Sequence, residues 1–181
     1  MLCNSLNYAE ILEAQKHLHE LEYQHWLQYE LFADQWWALV GVLVIPWFIW
    51  WKLVDETRTR IILAYGLYIL FVVTAMDWLG VTMQLWIYPI KLLPIVPSIL
   101  TLDWALLPVI HMLIYQYFPR WQSFLIAETI CSVLLAFVGE PFAEWFGIYF
   151  VLHWYHIWSF PIYLLKTIFG KWLIENLVFR R

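Results

Sequence analysis

The sequence predicts an all-α integral membrane protein, a bundle of five transmembrane helices with an amphipathic N-terminal helix. Hydrophobic residues occupy 64% of the 181 positions and charged residues only 13%, whereas soluble domains are roughly half apolar and about a quarter charged. The 14 Trp residues are typical of the aromatic belts at membrane interfaces. Helices are expected because lipid does not tolerate open strand edges and the segments lack the alternation of barrel strands.

Residues 1–35 are predicted to form an acidic, amphipathic surface helix on the outer side of the membrane. Acidic residues outnumber the single Lys16 in the polar stretch from Asn7 to Asp34. We expect a surface helix that leads into the bundle, and an arm that binds a partner is the alternative. Apolar residues recur at three- or four-residue spacing and would share one helix face: Ile11, Leu12, Leu18, Leu21 and Leu27.

Residues 36–181 are predicted to form the five-span bundle. Each span has roughly 16–20 residues, which is enough to cross about 30 Å of hydrocarbon when the flanking aromatic residues are used. The first span is the shortest, and Trp residues bracket it like interface anchors. The predicted spans are Trp36–Trp51, Ile61–Leu79, Leu100–Phe118, Trp121–Glu140 and Ile148–Leu165.

The segment at about 80–99 is predicted to be a proline-rich apolar loop at the outer face. Pro89, Pro94 and Pro97 prevent a long regular helix. An apolar but broken chain cannot face lipid tails with unpaired backbone groups. We therefore expect this loop to cap the bundle or to re-enter it against protein.

The basic residues predict a multi-pass protein of the cell membrane, with its N-terminus outside and its C-terminus in the cytoplasm. In this topology eight of the ten Lys and Arg residues lie on the cytoplasmic side, as the positive-inside rule requires, while Lys16 and Lys91 lie outside. The eight are Lys52, Arg58, Arg60, Arg120, Lys166, Lys171, Arg180 and Arg181.

Seven ionisable side chains lie inside or at the rim of the predicted spans, where a charge is costly and often marks a functional site. At about 1.5 Å per residue, three acids should lie roughly 10–13 Å above the midplane, with one histidine deeper and the remaining three groups near the midplane. In that order of depth they are Asp77, Asp103 and Glu140, then His153, then His111, His156 and Glu128.

These groups predict one polar pocket that opens to the outer side of the membrane. Asp77, Glu140, His153 and His156 are expected to border it because they share overlapping depths on three helices. A buried carboxylate also needs a histidine or water to offset its desolvation. Asp103 is expected at the rim of the pocket. His111 and Glu128 are weaker candidates for the same site.

Simpler structural roles compete with the pocket for several of these residues. Asp103 is the residue that opens its span, and capping the helix could be its whole role. His111 could be a hydrogen-bonded core histidine. Asp77 closes a helix at the negative end of its dipole, where an anion is unfavourable. Glu128 is the hardest to explain as structure, because few neighbours in its own helix could pair with it.

Four segments carry a family resemblance: LWIYPIKLLP (85–94), DWALLPVIHMLIYQYF (103–118), FVGEPFAEWFGIY (137–149) and SFPIY (159–163). They resemble an uncharacterised family of small, Trp-rich membrane proteins of spore-forming Gram-positive bacteria. The resemblance covers roughly residues 60–181 and leaves out the N-terminal helix. It implies a bacterial cytoplasmic membrane location and carries no catalytic or binding roles.

Three chemistries could use the polar residues. They could relay protons, as intramembrane acids do in transporters. They could hold a divalent metal, although the pair His153 and His156 is a weak signal without the established zinc spacing. A carboxylate pair in an aromatic-lined cavity could also stabilise a cation, or act as acid and base on an isoprenoid or sterol-like lipid.

The sequence is best interpreted as a membrane protein that binds or modifies an amphipathic lipid, with membrane lipids as its partners. A non-enzymatic membrane or envelope component that acts through protein partners is the first alternative. A small proton-linked transporter is the second, disfavoured because there is no inverted repeat. Nucleic-acid binding is not expected, since the basic residues are few and scattered. Enzymatic activity, metal content, cofactors and oligomeric state are left open.

Overall fold

The computed structural model describes residues 5–94, 96 and 100–178, with side chains described within 8–94, 96 and 100–177. The chain is almost entirely helical, and four π-helical turns and one 3₁₀ turn interrupt or extend its helices. The helices are α1 (Ser5–His25), α2 (Asp34–Leu53), α3 (Thr59–Thr82), α4 (Leu107–Tyr117), α5 (Trp121–Leu134), α6 (Glu140–Trp145) and α7 (His156–Leu173). The strands are β1 (Trp86–Ile87) and β2 (Phe150–Val151). The π turns are Trp26–Glu30, Leu102–Leu106, Leu135–Gly139 and Ile174–Val178, and the 3₁₀ turn is Glu56–Arg58.

Among the described residues, three helical segments are long and apolar enough to cross a membrane: Asp34–Leu53, Glu56–Thr82 and Trp121–Trp145. Only 11% of the most apolar stretch of α2 is buried inside the chain. Apolar surface left uncovered in this way suits contact with lipid. The all-α class is therefore confirmed. The count of five spans is not confirmed, because the third and fifth predicted spans are not among the described helices that are long and apolar enough to cross a membrane.

The fifth predicted span begins too early. Helix α7 starts at His156 and not at Ile148, because part of the intervening chain forms β2, which pairs with β1 in antiparallel register (Trp86 opposite Val151). A short apolar strand next to an apolar helix cannot be separated from it by hydrophobic periodicity. The shift moves His156 from the predicted midplane to the first turn of α7. It also moves Lys166 from the end of the helix to its interior.

The N-terminal helix forms over α1 and the following π turn. The side chains that predicted its apolar face are exposed, so the described part of the helix shows no such face packed against the bundle. The amphipathic surface helix therefore stays a prediction. These exposed side chains are Ile11, Leu12, Leu18, Leu21 and Leu27.

The loop that follows α3 packs against the end of this N-terminal helix. The Lys91 backbone N–H donates to Glu30 Oε2 at 2.7 Å, and the Trp26 indole N–H donates to the Lys91 carbonyl at 3.1 Å. The Trp36 indole N–H donates to the carbonyl of the next residue, Leu92, at 3.2 Å. Side chains thus make hydrogen bonds to backbone groups of this loop, in which prolines prevent the backbone hydrogen bonds of a helix. Pro97 lies outside the described residues.

Helix α3 packs closely against α4 and α7 at glycine positions. A Cβ atom added at Gly66 would overlap Met112, and one added at Gly170 would overlap the ring of Tyr68. Small residues allow helix backbones to approach each other inside a membrane. The Tyr68 hydroxyl also donates to the Lys166 carbonyl at 3.1 Å. These contacts hold α7 beside α3 over its middle turns.

One end of the bundle is closed by an aromatic cluster. The Tyr65 and Tyr115 rings stack with their centroids 4.5 Å apart, and Phe124 meets Tyr65 edge-on at 6.3 Å. All three side chains are fully buried. The Lys171 ammonium lies 4.6 Å from the centre of the Phe124 ring and donates to the Pro119 carbonyl at 3.0 Å. The two strands lie at the opposite end, where the loops after α3 and α6 meet.

Candidate functional site

Asp77 and Asp103 lie at the end of the bundle that carries the strands. We call them the outer carboxyl pair because the sequence predicts that this end faces outward. Asp77 Oδ1 accepts hydrogen bonds from the Trp86 indole N–H at 2.8 Å and from the Tyr88 hydroxyl at 2.5 Å. The Asp103 carboxyl group lies close to that of Asp77 and interacts with it. Asp103 is 3% exposed. It therefore lies inside the bundle, with more than a capping contact.

A histidine cluster, defined as Glu140, Glu144, His156 and Tyr163, lies at the same end. His156 Nδ1 lies 2.5 Å from Glu140 Oε2, and the Tyr163 hydroxyl donates to Glu140 Oε1 at 2.5 Å. His156 Nε2 faces Glu144 Oε2 at 3.4 Å. Because Glu140 uses both oxygens to hold its neighbours, it fixes the orientation of the His156 ring. The other ring nitrogen faces Glu144, and the side chains of both residues are partly exposed.

Two buried tyrosines connect the outer carboxyl pair to the histidine cluster. The rings of Tyr88 and Tyr149 lie 5.6 Å apart. Burial, followed by the carboxyl groups of Glu140, Glu144 and Asp77, raises the pKa of Tyr149 above its usual value. Burial and the neighbouring Asp77 likewise raise the pKa of Tyr88. Both phenols therefore keep their protons near neutral pH, and the pair and the cluster form one outer network.

His153 does not join this outer network. Its side chain is exposed, and its Nδ1 lies 3.2 Å from the Gln84 carbonyl. It precedes α7, so it does not belong to the helix from which its depth was predicted. Of the four residues predicted to border one pocket, the structure joins Glu140 to His156 directly and Asp77 to them through the tyrosines.

An inner cluster lies between α4 and α5, on the side of the aromatic cluster. His111 Nδ1 lies 2.9 Å from Glu128 Oε2, and both side chains are completely buried. Helix α4 therefore supplies the partner for Glu128 that its own helix lacked. Glu128 is about two turns from the start of α5, roughly 10 Å from that end. The inner cluster thus lies closer to the aromatic cluster than to the strands.

Two of the candidate acids lie at π-helical turns. Asp103 is part of the turn Leu102–Leu106, and Glu140 directly follows the turn Leu135–Gly139. Such turns widen a helix and re-aim the residues that follow them, and they are frequent at functional sites. Glu128 and Glu140 would be about 120° apart on an ideal helix. In this structure both approach the same lysine, Lys166.

Lys166 is the site residue that the sequence analysis missed. It is 6% exposed, and its ammonium lies 4.6 Å from the centre of the Tyr163 ring. The carboxyl groups whose charges act on it are Glu128, Asp103 and Glu140, in decreasing order. The outer carboxyl pair, the histidine cluster and the inner cluster, which is described above, thus each contribute one carboxyl group whose charge acts on this amine. The side chain is the point at which the outer network and the inner cluster meet.

A sequence signal for Lys166 existed but was hidden by the misplaced start of α7. Once the helix begins at His156, a stripe of polar and small residues follows at three- and four-residue spacing, which marks one helix face. The stripe turns toward the bundle, and most of its members are buried. They are His156, Ser159, Tyr163, Lys166, Thr167 and Gly170.

Comparison with known protein families, with curated proteins and with solved structures found no match. The resemblance to the Trp-rich bacterial family therefore stays a prediction. The chemistry of the site must be argued from its own residues.

Proposed function

We propose that this chain is a five-span membrane protein that binds the headgroup of an amphipathic lipid at its outer network and acts on it by acid–base chemistry. The observation that carries the proposal is the Glu140–His156 pair at the outer end of the bundle. One nitrogen of the imidazole is fixed by a buried carboxylate, and the other faces the partly exposed carboxylate of Glu144.

The histidine cluster suits proton transfer at the membrane surface. An imidazole can take up and return a proton near neutral pH, and a second carboxylate that orients it improves its efficiency. Glu140 performs this positioning role for His156, and Tyr163 holds the second oxygen of Glu140. His156 Nε2 is then the atom that would exchange a proton with a headgroup hydroxyl or amine.

The surroundings of the histidine cluster suit an amphipathic molecule. Acids outnumber bases in the outer network, which favours a headgroup that carries a positive charge or several hydrogen-bond donors. Large apolar side chains next to the cluster are exposed, where acyl chains would lie. They are Phe142, Trp145, Ile157 and Trp158.

Two other functions have less support. The aromatic cluster closes the inner end of the bundle, which disfavours a through-path for a proton-linked transporter. The exposed N-terminal helix is compatible with a component that acts through protein partners, yet that role would not need the oriented His156.

The proposed topology places the strands outside and the basic loop residues inside. The connections that precede and follow the spans sort to opposite ends of the bundle, and the strand pairing keeps both outer loops on one side. With Lys166 buried in α7, seven of the ten basic residues remain at the cytoplasmic end, as the positive-inside rule favours. They are Lys52, Arg58, Arg60, Arg120, Lys171, Arg180 and Arg181.

Reporter fusions should test this topology. Fusions after Arg60 and after Arg181 should both report a cytoplasmic position, and a fusion after Gly147 should report the outside. The positive-inside rule and the strand pairing are the physical reasons. An external signal after Arg60, or a cytoplasmic one after Gly147, would contradict the orientation.

Glu140→Gln should reduce lipid binding by about 10- to 100-fold, which corresponds to the loss of a charge-assisted hydrogen bond of about 1.5–3 kcal/mol. The amide keeps the shape of the side chain and removes its charge. The measurement is native mass spectrometry of the protein released from native nanodiscs, with the headgroup class identified by fragmentation.

Glu56→Gln is the matched control, since Glu56 is exposed at the opposite end of α3. It should leave the bound lipid unchanged. Equal lipid content in folded wild-type and Glu140→Gln protein would count against a headgroup site at the histidine cluster.

A further inference from the structure

The inner cluster extends to a third potential metal ligand, Cys131. One donor atom from each of His111, Glu128 and Cys131 lies within 4.8 Å of the other two. Glu128 and Cys131 are three residues apart on α5, so they project from one face of that helix, while His111 reaches them from α4. Imidazole, carboxylate and thiolate are the ligand types that zinc and similar transition metals take in proteins.

The polar atoms of this region are not satisfied by the protein. His111 Nε2, Glu128 Oε1 and Ser132 Oγ are buried and have no hydrogen-bond partner within the described part of the chain. Buried polar atoms without partners are rare and call for a bound water or ion. The His111–Glu128 hydrogen bond uses one nitrogen of His111 and one oxygen of Glu128. The remaining lone pairs are available to a cation.

The charges of the region balance when a divalent cation is bound. A thiolate at Cys131 and a carboxylate at Glu128 together neutralise the ion, while His111 binds as a neutral imidazole. Lys166 also lies near Glu128, but Asp103 and Glu140 face it as well. The lysine therefore keeps a compensating charge after Glu128 has become a metal ligand.

We propose that His111, Glu128 and Cys131 form a transition-metal site, of the zinc class, inside the bundle. The site is independent of lipid binding at the outer network. It joins α4 to α5 next to the aromatic cluster, and its three protein ligands leave one position for water or Ser132.

The test uses the full-length protein, purified in detergent without chelators. Metal analysis should find about one zinc-class ion per chain, as expected of a three-ligand site. After removal of that metal, added Co²⁺ should give the ultraviolet charge-transfer band of a cobalt–thiolate bond. Cys131→Ser should abolish this band, and His111→Gln should weaken Co²⁺ binding by at least tenfold, the usual effect of damage to a metal site.

Two controls separate the site from other ligands of the chain. Cys3→Ser changes the other cysteine, and His153→Gln changes an exposed histidine; both variants should keep the cobalt–thiolate band. The proposal is overturned if the wild-type protein gives no such band on addition of Co²⁺, or if the band survives in Cys131→Ser. Both results can be read without any assay of lipid binding.

Discussion

Lys166→Met should lower the free energy of unfolding by about 3–5 kcal/mol, because it leaves buried carboxyl groups without their opposite charge. Lys166 lies in the interior of α7 and faces Glu128, Asp103 and Glu140. Methionine retains most of the apolar stem, so the loss of packing is small compared with the loss of charge. Denaturant titration of the protein in detergent micelles measures the difference.

Two further variants test whether the loss of stability comes from the buried charge. Lys52→Met removes an exposed lysine at the end of α2 and should change stability by no more than about 0.5 kcal/mol. Adding Glu128→Gln to Lys166→Met should restore part of the loss, since a neutral amide needs no countercharge. A Lys166→Met protein as stable as the wild type would show that the ammonium does not offset these acids.

Gly170→Ala should destabilise the bundle by about 1–3 kcal/mol through overpacking. Alanine normally favours a helix by about 1 kcal/mol over glycine, so the expected sign is opposite to that of helix propensity. The reason is that the new methyl group would overlap the Tyr68 ring. Moving this ring also breaks its hydrogen bond to the Lys166 carbonyl. Thermal unfolding and denaturant titration both measure the effect.

Gly41→Ala is the matched control for this substitution. Gly41 is a helical glycine in α2, and the nearest atom that its new Cβ would meet is Ile45 Cδ1 at 3.6 Å, an ordinary contact distance. This variant should be neutral or more stable by up to about 1 kcal/mol. Equal changes of the same sign in Gly41→Ala and Gly170→Ala would contradict close packing between α7 and α3.

The helical class was predictable because composition and periodicity report directly on lipid exposure. The Glu140–His156 contact was also within reach, since a carboxylate in an apolar setting needs a partner at similar depth. The partner of Glu128 was not predictable, because nothing in α5 indicates which face of α4 it meets. His111 pairs with it only through the packing of two helices.

The boundary of α7 was the main error, and it changed the assignments of three residues. Residues 148–155 are nearly as apolar as the helix that follows, so hydrophobicity could not separate a strand that pairs with a distant segment from a helical turn. As a result, His153 was predicted inside a helix that it precedes, and His156 was predicted at the middle of a helix that it begins. Lys166 was interpreted as a cytoplasmic end residue when it lies inside the bundle.

The pairing of β1 with β2 also fixes the order in which the protein is completed during synthesis. β1 follows α3, but its partner β2 follows α6, so the ladder forms only after α4, α5 and α6 have been made. Contacts between segments distant in the chain form late because loop closure costs entropy. The Trp86 and Tyr88 donors to Asp77 flank or belong to this ladder. We therefore expect the outer network to be among the last parts of the chain to assemble, because a chain that stops before β2 lacks the strand that pairs with β1.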